Sequence, residues 1–187
     1  GLGVRAFVVT QTPNDPYFAK QWGLTNIHAP AAWDISTGSS SITIAIIDTG
    51  IDETHPDLSS KLVSGYDFVD GDSNPHDLNG HGTHVAGIAA AATNNGTGIA
   101  GVNWQARLMA VRFLNRDGEG TDADVIDAIR WACYHGAKVL NLSLGGAGDS
   151  FAMQDAINEV TAAGCLVIAA VGNNNSNQLF YPAAFNN

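Results

Sequence analysis

The chain has 187 residues, and 45% of them are hydrophobic, which suits one domain with a substantial core. Eight basic residues against 18 acidic ones give a formal net charge of −10, which argues against nucleic acid or an anionic membrane as the natural partner. Only 14% of the residues are charged, so the chain is not a disordered acidic tail. No stretch is long and apolar enough to span a membrane, and no signal peptide is visible at the start, which indicates either a cytosolic protein or one already processed.

Strand and helix patterns alternate along the chain. After a turn-rich arm over residues 1–20, a short helix is predicted at Ala29–Asp34. Short apolar and β-branched runs then predict four buried strands, at Ser41–Ile47, Arg107–Leu114, Lys138–Leu142 and Cys165–Val171. Three longer helices are predicted between these strands: one begins at His81, one follows the capping signature Thr121–Asp124, and one covers Phe151–Ala163.

This alternation predicts an α/β fold, a doubly wound parallel sheet flanked by helices. No repeat or linker divides the chain, so residues 1–187 are predicted to form one domain, with residues 1–11 as an N-terminal extension or the remnant of one. The two cysteines, Cys133 and Cys165, do not make a disulfide framework. Their apolar surroundings favour two buried thiols, with a single bridge as the alternative.

The most distinctive stretch is Asn79–Gly87, in which His81 stands between glycines at the start of a small, apolar helical run. An imidazole placed there, open to a cleft, can transfer protons near neutral pH. A structural histidine is the plain alternative. Metal binding by His81 and His84 is disfavoured, because a zincin helix needs histidines at i and i+4 and a glutamate where Gly82 stands.

Two further polar side chains follow predicted strands. Asp48 comes directly after the first strand, and Asn173 follows the fourth. Ligand sites in open α/β sheets gather at the carboxyl ends of strands, so these side chains are candidates to lie near His81. An acid, an imidazole and an amide donor make three of the four parts of an acyl-transfer site; the nucleophile is the missing part.

Oxygen-bearing side chains are dense between Gly65 and Asn79. A solvated loop is one interpretation, and a calcium site is the favoured one, because hard cations take six to eight oxygen ligands. Asp15 is likewise either a turn residue or a calcium ligand.

Five motifs in order resemble the subtilisin-like serine proteases (subtilases): IAIIDTGID around Asp48, HPDL at 55–58, NGHGTHVAG around His81, LNLSLGG at 140–146 and VIAAVGNNN at 167–175. The resemblance extends from about residue 12 to residue 187. It implies that Asp48 orients His81, that His81 is the general base, that Asn173 stabilises the oxyanion, and that His84 is structural. It also implies an extended polypeptide substrate, held as an added β-strand by Gly118, Glu119, Gly120, Ser143, Leu144, Gly145, Ala170 and Gly172.

The resemblance further implies a secreted protein that binds calcium. One site matches the residues Asp15, Asp57, Asn95, Thr97 and Ile99, the last two through backbone carbonyls. A second site, found in some members, matches Asp67, Asp70, Asp72 and Asn74. His76 stands where a glutamine is expected in that second site, and imidazole is a poor ligand for a hard cation.

The family's nucleophile lies in a Gly-Thr-Ser-Met-Ala motif that residues 1–187 do not contain. Ser143 is in the wrong context, since it matches a residue of a substrate-binding strand. The sheet is therefore expected to be incomplete at its C-terminal end, with an open edge and exposed apolar surface, and residues 1–187 alone are expected to be inactive. A C-terminal fragment that completes the domain is the corresponding partner. Phe180 matches a position near the floor of the first specificity pocket, which would make that pocket small or reshaped.

Two other functions compete with the endopeptidase. A truncated, inert fragment or a non-catalytic module that binds extended peptides is suggested by the absent nucleophile. A nucleotide-binding α/β enzyme is disfavoured, because no G-x-G-x-x-G follows the first strand.

Overall fold

A computed structural model describes residues 11–185 of the chain. Two short helices come first, α1 (Trp22–Asn26) and α2 (Ala29–Trp33), and the remaining elements alternate between strand and helix. They are β1 (Thr43–Asp48), β2 (Leu62–Asp67), α3 (His81–Ala90), β3 (Arg107–Arg112), α4 (Asp122–Tyr134), β4 (Val139–Leu142), α5 (Phe151–Ala162) and β5 (Leu166–Ala169). Short 3₁₀ turns cover Phe18–Lys20 and Ser59–Lys61.

The strands form one sheet in the order β2-β3-β1-β4-β5, and every pairing is parallel. The predicted doubly wound parallel sheet flanked by helices is therefore confirmed. β2 was not predicted from the sequence, because it is an edge strand with only one buried residue, Asp67, and no continuous apolar run. Its register also shifts between Val63 and Tyr66.

The sheet has a hydrophobic core on each face. In β1, Ala45 and Ile47 join the core under α4 and α5, whereas Ile44 and Ile46 join the core under α3. Successive side chains of a strand point to opposite faces, so a strand covered on both sides must be apolar throughout. This explains why β1 is a continuous run of small and branched apolar residues that ends in a fully buried aspartate, Asp48.

Residues 11–20 of the predicted arm are mostly exposed, and the segment from Phe18 to α2 packs around Trp33. Trp33 is buried beside Ala100 and lies between the rings of Phe18 and Trp104. This segment therefore has a small core of its own. Residues 1–10, and most of the predicted N-terminal extension with them, lie outside the described residues.

Cys133 and Cys165 form a disulfide, with their sulfurs 1.99 Å apart. The expectation of two buried thiols was wrong, and the alternative of a single bridge is correct. The two residues are 32 positions apart in sequence, but packing of α4 against α5 brings them together in space. Between residues 11 and 185, the structure shows no helix with the length and hydrophobicity needed to cross a membrane.

Candidate active site

Asp48 and His81 meet at the carboxyl end of the central strand. Asp48 is the last residue of β1 and is fully buried, whereas the His81 side chain is 47% exposed at the start of α3. His81 Nδ1 lies 2.7 Å from Asp48 Oδ1, and the same oxygen accepts the backbone N–H of Thr49 at 2.7 Å. Burial raises the pKa of Asp48, while the hydrogen bonds from His81 and Thr49 act in the opposite direction. The pair fixes the orientation of the imidazole, with Nδ1 held by the carboxylate and Nε2 left for a reaction partner.

Close packing at Gly82 makes this contact possible. A Cβ atom at Gly82 would overlap the carbonyl oxygen of Gly50 and lie 3.2 Å from Cβ of Asp48. Only glycine lets the first turn of α3 approach the end of β1 so closely. Gly82 therefore has a steric role: its lack of a side chain lets His81 reach Asp48.

A cleft of about 760 Å³ adjoins His81. On one side it is lined by Gly118, Glu119 and Gly120, and on the other by Ser143, Leu144 and Gly145. These are six of the eight residues that sequence analysis assigned to substrate binding. Ala170 and Gly172 are absent from the lining of this cleft, and Gly172 lines a neighbouring cavity of about 490 Å³ instead.

The ring of Phe180 lies close to Gly145 of the cleft and to Gly172 of the neighbouring cavity. A Cβ atom at Gly145 would overlap the Phe180 ring and lie 2.7 Å from the carbonyl oxygen of Tyr181. Tyr181 and Gly146 exchange two backbone hydrogen bonds of 2.8 and 2.9 Å, so the segment that carries Phe180 is fixed beside the cleft. Asn173 follows β5, is exposed, and is not among the residues that line the cleft with His81. The structure thus brings Asp48 and His81 together beside residues 118–120 and 143–145, and the role of Asn173 stays a prediction.

The first predicted calcium set is assembled. Asp15 Oδ2 accepts the N–H of Asn94 at 2.8 Å, and Asp57 accepts Nδ2 of Asn95 at 2.8 Å and the N–H of Ile99 at 3.0 Å. Asp15 and Asp57 are only 4% and 2% exposed, and no basic side chain among the described residues pairs with either of them. Two buried carboxylates without a counter-charge are costly, so the donor set fits a hard cation.

The second predicted calcium set does not fit in the same way. Arg112 Nη1 lies 2.6 Å from Asp67 Oδ2 and 2.6 Å from Asp70 Oδ2, and Asp67 Oδ1 accepts the N–H groups of Val69 and Asp70. The guanidinium already supplies the positive charge, and the oxygens of Asp67 are occupied. Asp72 accepts the N–H of Asn74 at 2.8 Å, and the His76 ring pairs with Glu53 at 2.6 Å. Asp70, Asp72 and Asn74 are exposed, and calcium binding by Asp67, Asp70, Asp72 and Asn74 stays a prediction.

Sequence reasoning missed Thr49 and the function of Asp77. Thr49 lines the cleft, and its hydroxyl connects Gly82 with Asp77. Asp77 lies in the oxygen-rich stretch between Gly65 and Asn79, for which only a solvated loop or a calcium site was predicted. The useful signal was its position four residues before His81, at a helix N-terminus that has no capping side chain at Gly80.

Comparison with known proteins agrees with this geometry. The sequence model described as the Subtilase family matches residues 39–187. The chain is 52% identical over 182 residues to the thermophilic serine proteinase of Bacillus sp. (strain AK1), covering 97% of this chain and 45% of that protein. It is 51% identical over 177 residues to thermitase of Thermoactinomyces vulgaris, covering 94% of this chain and 63% of that protein.

The fold comparison also finds a protease. A solved protease structure from Pseudoalteromonas arctica matches with a TM-score of 0.86 and 36% identity, over 94% of this chain and 64% of that one. The chain spans about half to two thirds of the length of the relatives it matches. By sequence and by fold, this chain belongs to the subtilase family of serine proteases.

Proposed function

We propose that the protein carrying this chain is a secreted, calcium-stabilised serine endopeptidase that hydrolyses extended polypeptides. The observation that carries the proposal is the 2.7 Å contact between buried Asp48 and His81 beside a cleft with two backbone-rich walls. The Cys133–Cys165 disulfide supports secretion, because such bonds persist mainly in oxidising compartments.

In this proposal the imidazole of His81 moves the proton. Asp48 accepts Nδ1–H, holds one tautomer and stabilises the imidazolium. His81 Nε2 takes the proton of a serine hydroxyl as the oxygen attacks the scissile carbonyl carbon, and it returns that proton to the leaving amine. The Asn173 side chain donates to the oxyanion of the tetrahedral intermediate.

The attacking serine is proposed to come from outside residues 1–187. No serine among the described residues hydrogen-bonds to His81, and the relatives extend well beyond the matched length. The same consideration makes residues 1–187 alone inactive in this account, with a C-terminal part of the protein as the partner that completes the site.

Substrate is proposed to lie as a β-strand between residues 118–120 and 143–145. Main-chain hydrogen bonds along an extended peptide give affinity without reading its side chains, so broad sequence tolerance is expected. Phe180, packed under Gly145, is proposed to limit the depth of the adjoining side-chain pocket.

Calcium is assigned to the first ligand set alone: Asp15, Asp57, Asn95, Thr97 and Ile99. The ion would neutralise the two buried carboxylates and connect the N-terminal segment with the loop after α3. The second set is left out of the proposal, because Arg112 already neutralises Asp67 and Asp70.

A non-catalytic module that binds extended peptides is the second candidate. It is favoured by the one observation that the described residues hold the cleft and the Asp48–His81 pair, while none of their serines hydrogen-bonds to His81.

The test compares hydrolysis of an unfolded protein by the full-length protein and by residues 1–187. We expect activity only in the full-length protein, and a loss of at least about 10⁴-fold in His81→Ala. His84→Ala is the matched control, since it removes the other histidine of the same helix. A full-length protein that binds unfolded polypeptide but never cleaves it would support the binding module instead.

A further inference from the structure

The N-terminus of α3 is capped in an unusual way. The first turn of a helix has N–H groups without intrahelical acceptors, and a side chain at the N-cap usually satisfies one of them. Here the N-cap is Gly80, with φ of 104° and no side chain to offer. The free N–H groups are instead met from outside the helix: by Asn79 for His81, by Thr49 for Gly82, and by Asp77 for Thr83.

Asp77 is the centre of this arrangement. Its Oδ1 accepts the Thr49 hydroxyl at 2.9 Å and the N–H groups of Asn79 and Gly80 at 2.9 and 2.8 Å. Its Oδ2 accepts the N–H and the hydroxyl of Thr83 at 2.9 and 2.6 Å. Desolvation raises the pKa of Asp77, but these hydrogen bonds outweigh it, so the pKa lies below its ordinary value and the carboxylate stays charged. A negative charge at this end also complements the helix dipole.

Thr49 connects Asp77 to the buried Asp48 through hydrogen bonds. Its hydroxyl donates to Asp77 and accepts the N–H of Gly82 at 2.9 Å, and its backbone N–H donates to Asp48 Oδ1 at 2.7 Å. That same oxygen receives the His81 ring. One short chain of hydrogen bonds therefore fixes both partners of the dyad, the acid through Thr49 and the helix that carries the imidazole through Asp77.

We propose that Asp77, acting through Thr49, is a positioning residue that sets the Asp48–His81 geometry for the reaction. Asp77 does not line the cleft beside His81, so it acts without touching substrate. The proposal rests on the proposed function for its kinetic readout, and on the dyad geometry alone for its spectroscopic one.

The test uses three variants of the full-length protein and a matched control. Asp77→Asn keeps the shape but turns one acceptor oxygen into a donor. Thr49→Val removes the bridging hydroxyl, and Thr49→Ser restores it. Ser150→Ala is the control, because Ser150 caps α5 through Met153 and has no contact with this arrangement.

The kinetic readout is the separation of kcat from KM. We expect Thr49→Val and Asp77→Asn to lower kcat by about 10- to 100-fold with KM within about twofold of wild type, because a small misplacement of the base slows chemistry while residues 118–120 and 143–145, which are proposed to hold the substrate, are unchanged. Thr49→Ser should recover most of the loss. Ser150→Ala should lower stability without changing kcat.

The spectroscopic readout is the downfield proton resonance of the His81 Nδ1–H bound to Asp48. It should weaken or shift in Thr49→Val and return in Thr49→Ser. If Asp77→Asn fails to fold, the Thr49 pair decides the matter alone. The proposal is overturned if Thr49→Val and Asp77→Asn only lower stability, as Ser150→Ala does, and keep both kcat and the resonance. If the wild-type protein cleaves no polypeptide, the proposed function is wrong. The resonance of the His81 Nδ1–H still tests the positioning role of Asp77 and Thr49 in that case.

Discussion

Gly82 controls how closely His81 can approach the buried Asp48, because the backbone of Gly82 packs against Gly50 and Asp48 with no room for a side chain. Most residues near the dyad were identifiable from the sequence, since Asp48 ends an apolar strand and His81 stands in a glycine-flanked motif. Thr49 and Asp77 were not, because their importance comes from hydrogen bonds that link positions 28 residues apart. Apolar periodicity carries no signal for such contacts, and the only local hint is the position of Asp77 just before a helix that lacks a capping side chain at Gly80.

Gly82→Ala and Gly87→Ala give a matched pair within α3. A methyl group at Gly82 must displace the Gly50 carbonyl or Asp48, and we expect a loss of about 1–3 kcal/mol in the free energy of unfolding together with most of the activity. At Gly87 the added atom would lie 3.4 Å from Ile99 Cδ1, an ordinary contact, and alanine favours the helix by about 0.5–1 kcal/mol. Urea denaturation and hydrolysis rates measure both effects. Equal stability and activity in the two variants would contradict the packing argument.

Lys61 should make stability depend on alkaline pH. Its Nζ donates to the Trp104 carbonyl, and burial lowers its pKa from 10.5 to about 8. Between these two pH values the unfolded chain binds more protons than the folded one, so the free energy of unfolding rises with pH in this range. We expect this rise, about 1–3 kcal/mol, to disappear in Lys61→Met and to persist in Lys138→Met, which removes an exposed lysine. Parallel curves for wild type and Lys61→Met would show that this lysine does not contribute.

The elements that the sequence predicted correctly are those with strong apolar patterns. β1 and β3 are buried on both faces, and α4 and α5 have capping side chains at Thr121 and Ser150, so each has a clear local signature. β2 lacks such a pattern, and Gly65 within it lies so close to Ala110 that a Cβ atom would overlap the Ala110 carbonyl oxygen. A glycine in a strand often marks a place where another backbone segment comes very close, but the sequence does not show which strand that segment belongs to.

The disulfide is the strongest link between two of these elements. It joins the end of α4 to the residue before β5, the strand at the edge of the sheet. With the cysteines 32 positions apart in sequence, the chain-entropy model gives a stabilisation of about 3–4 kcal/mol. We expect the Cys133→Ala/Cys165→Ala variant to lose about this much in urea denaturation. A reductant should lower the stability of the wild type toward that of the variant and leave the variant unchanged. A stabilising bridge is excluded if the double variant is as stable as the wild type and the reductant does not change the stability of the wild type.

At the scale of the whole molecule, the central strands are covered on both faces, but the edge strand β5 is covered on only one, where Val167 and Ala169 pack against the core. Leu166, Ile168 and Val171, in and after β5, are 58%, 47% and 80% exposed. The sequence led us to expect such an exposed apolar edge. At the opposite side, buried Asp15 and Asp57 bring the N-terminal segment and the loop after α3 together without a positive charge among the described residues.

Calcium removal should therefore loosen the whole molecule. At a calcium concentration 100 times the dissociation constant, binding adds about 2.7 kcal/mol, so chelation should lower the Tm by about 5–10 °C. Asp57→Asn should start from a lower Tm and respond little to chelator. Asp72→Asn, in the ligand set beside the Arg112 ion pairs, should respond like wild type. A wild type indifferent to chelator, or an Asp72→Asn variant that loses the response, would contradict the assignment of calcium to the first set.

The most direct measurement of the central claim is labelling of the full-length protein by a serine-directed phosphonate. The account predicts stoichiometric labelling of one serine in wild type and His84→Ala, and labelling slowed by at least about 10⁴-fold in His81→Ala and Asp48→Asn, because the serine is activated only through this dyad. Absence of labelling in the folded wild type, or equal labelling rates in wild type and His81→Ala, would contradict the claim that Asp48 and His81 form the proton-transfer pair of a serine endopeptidase.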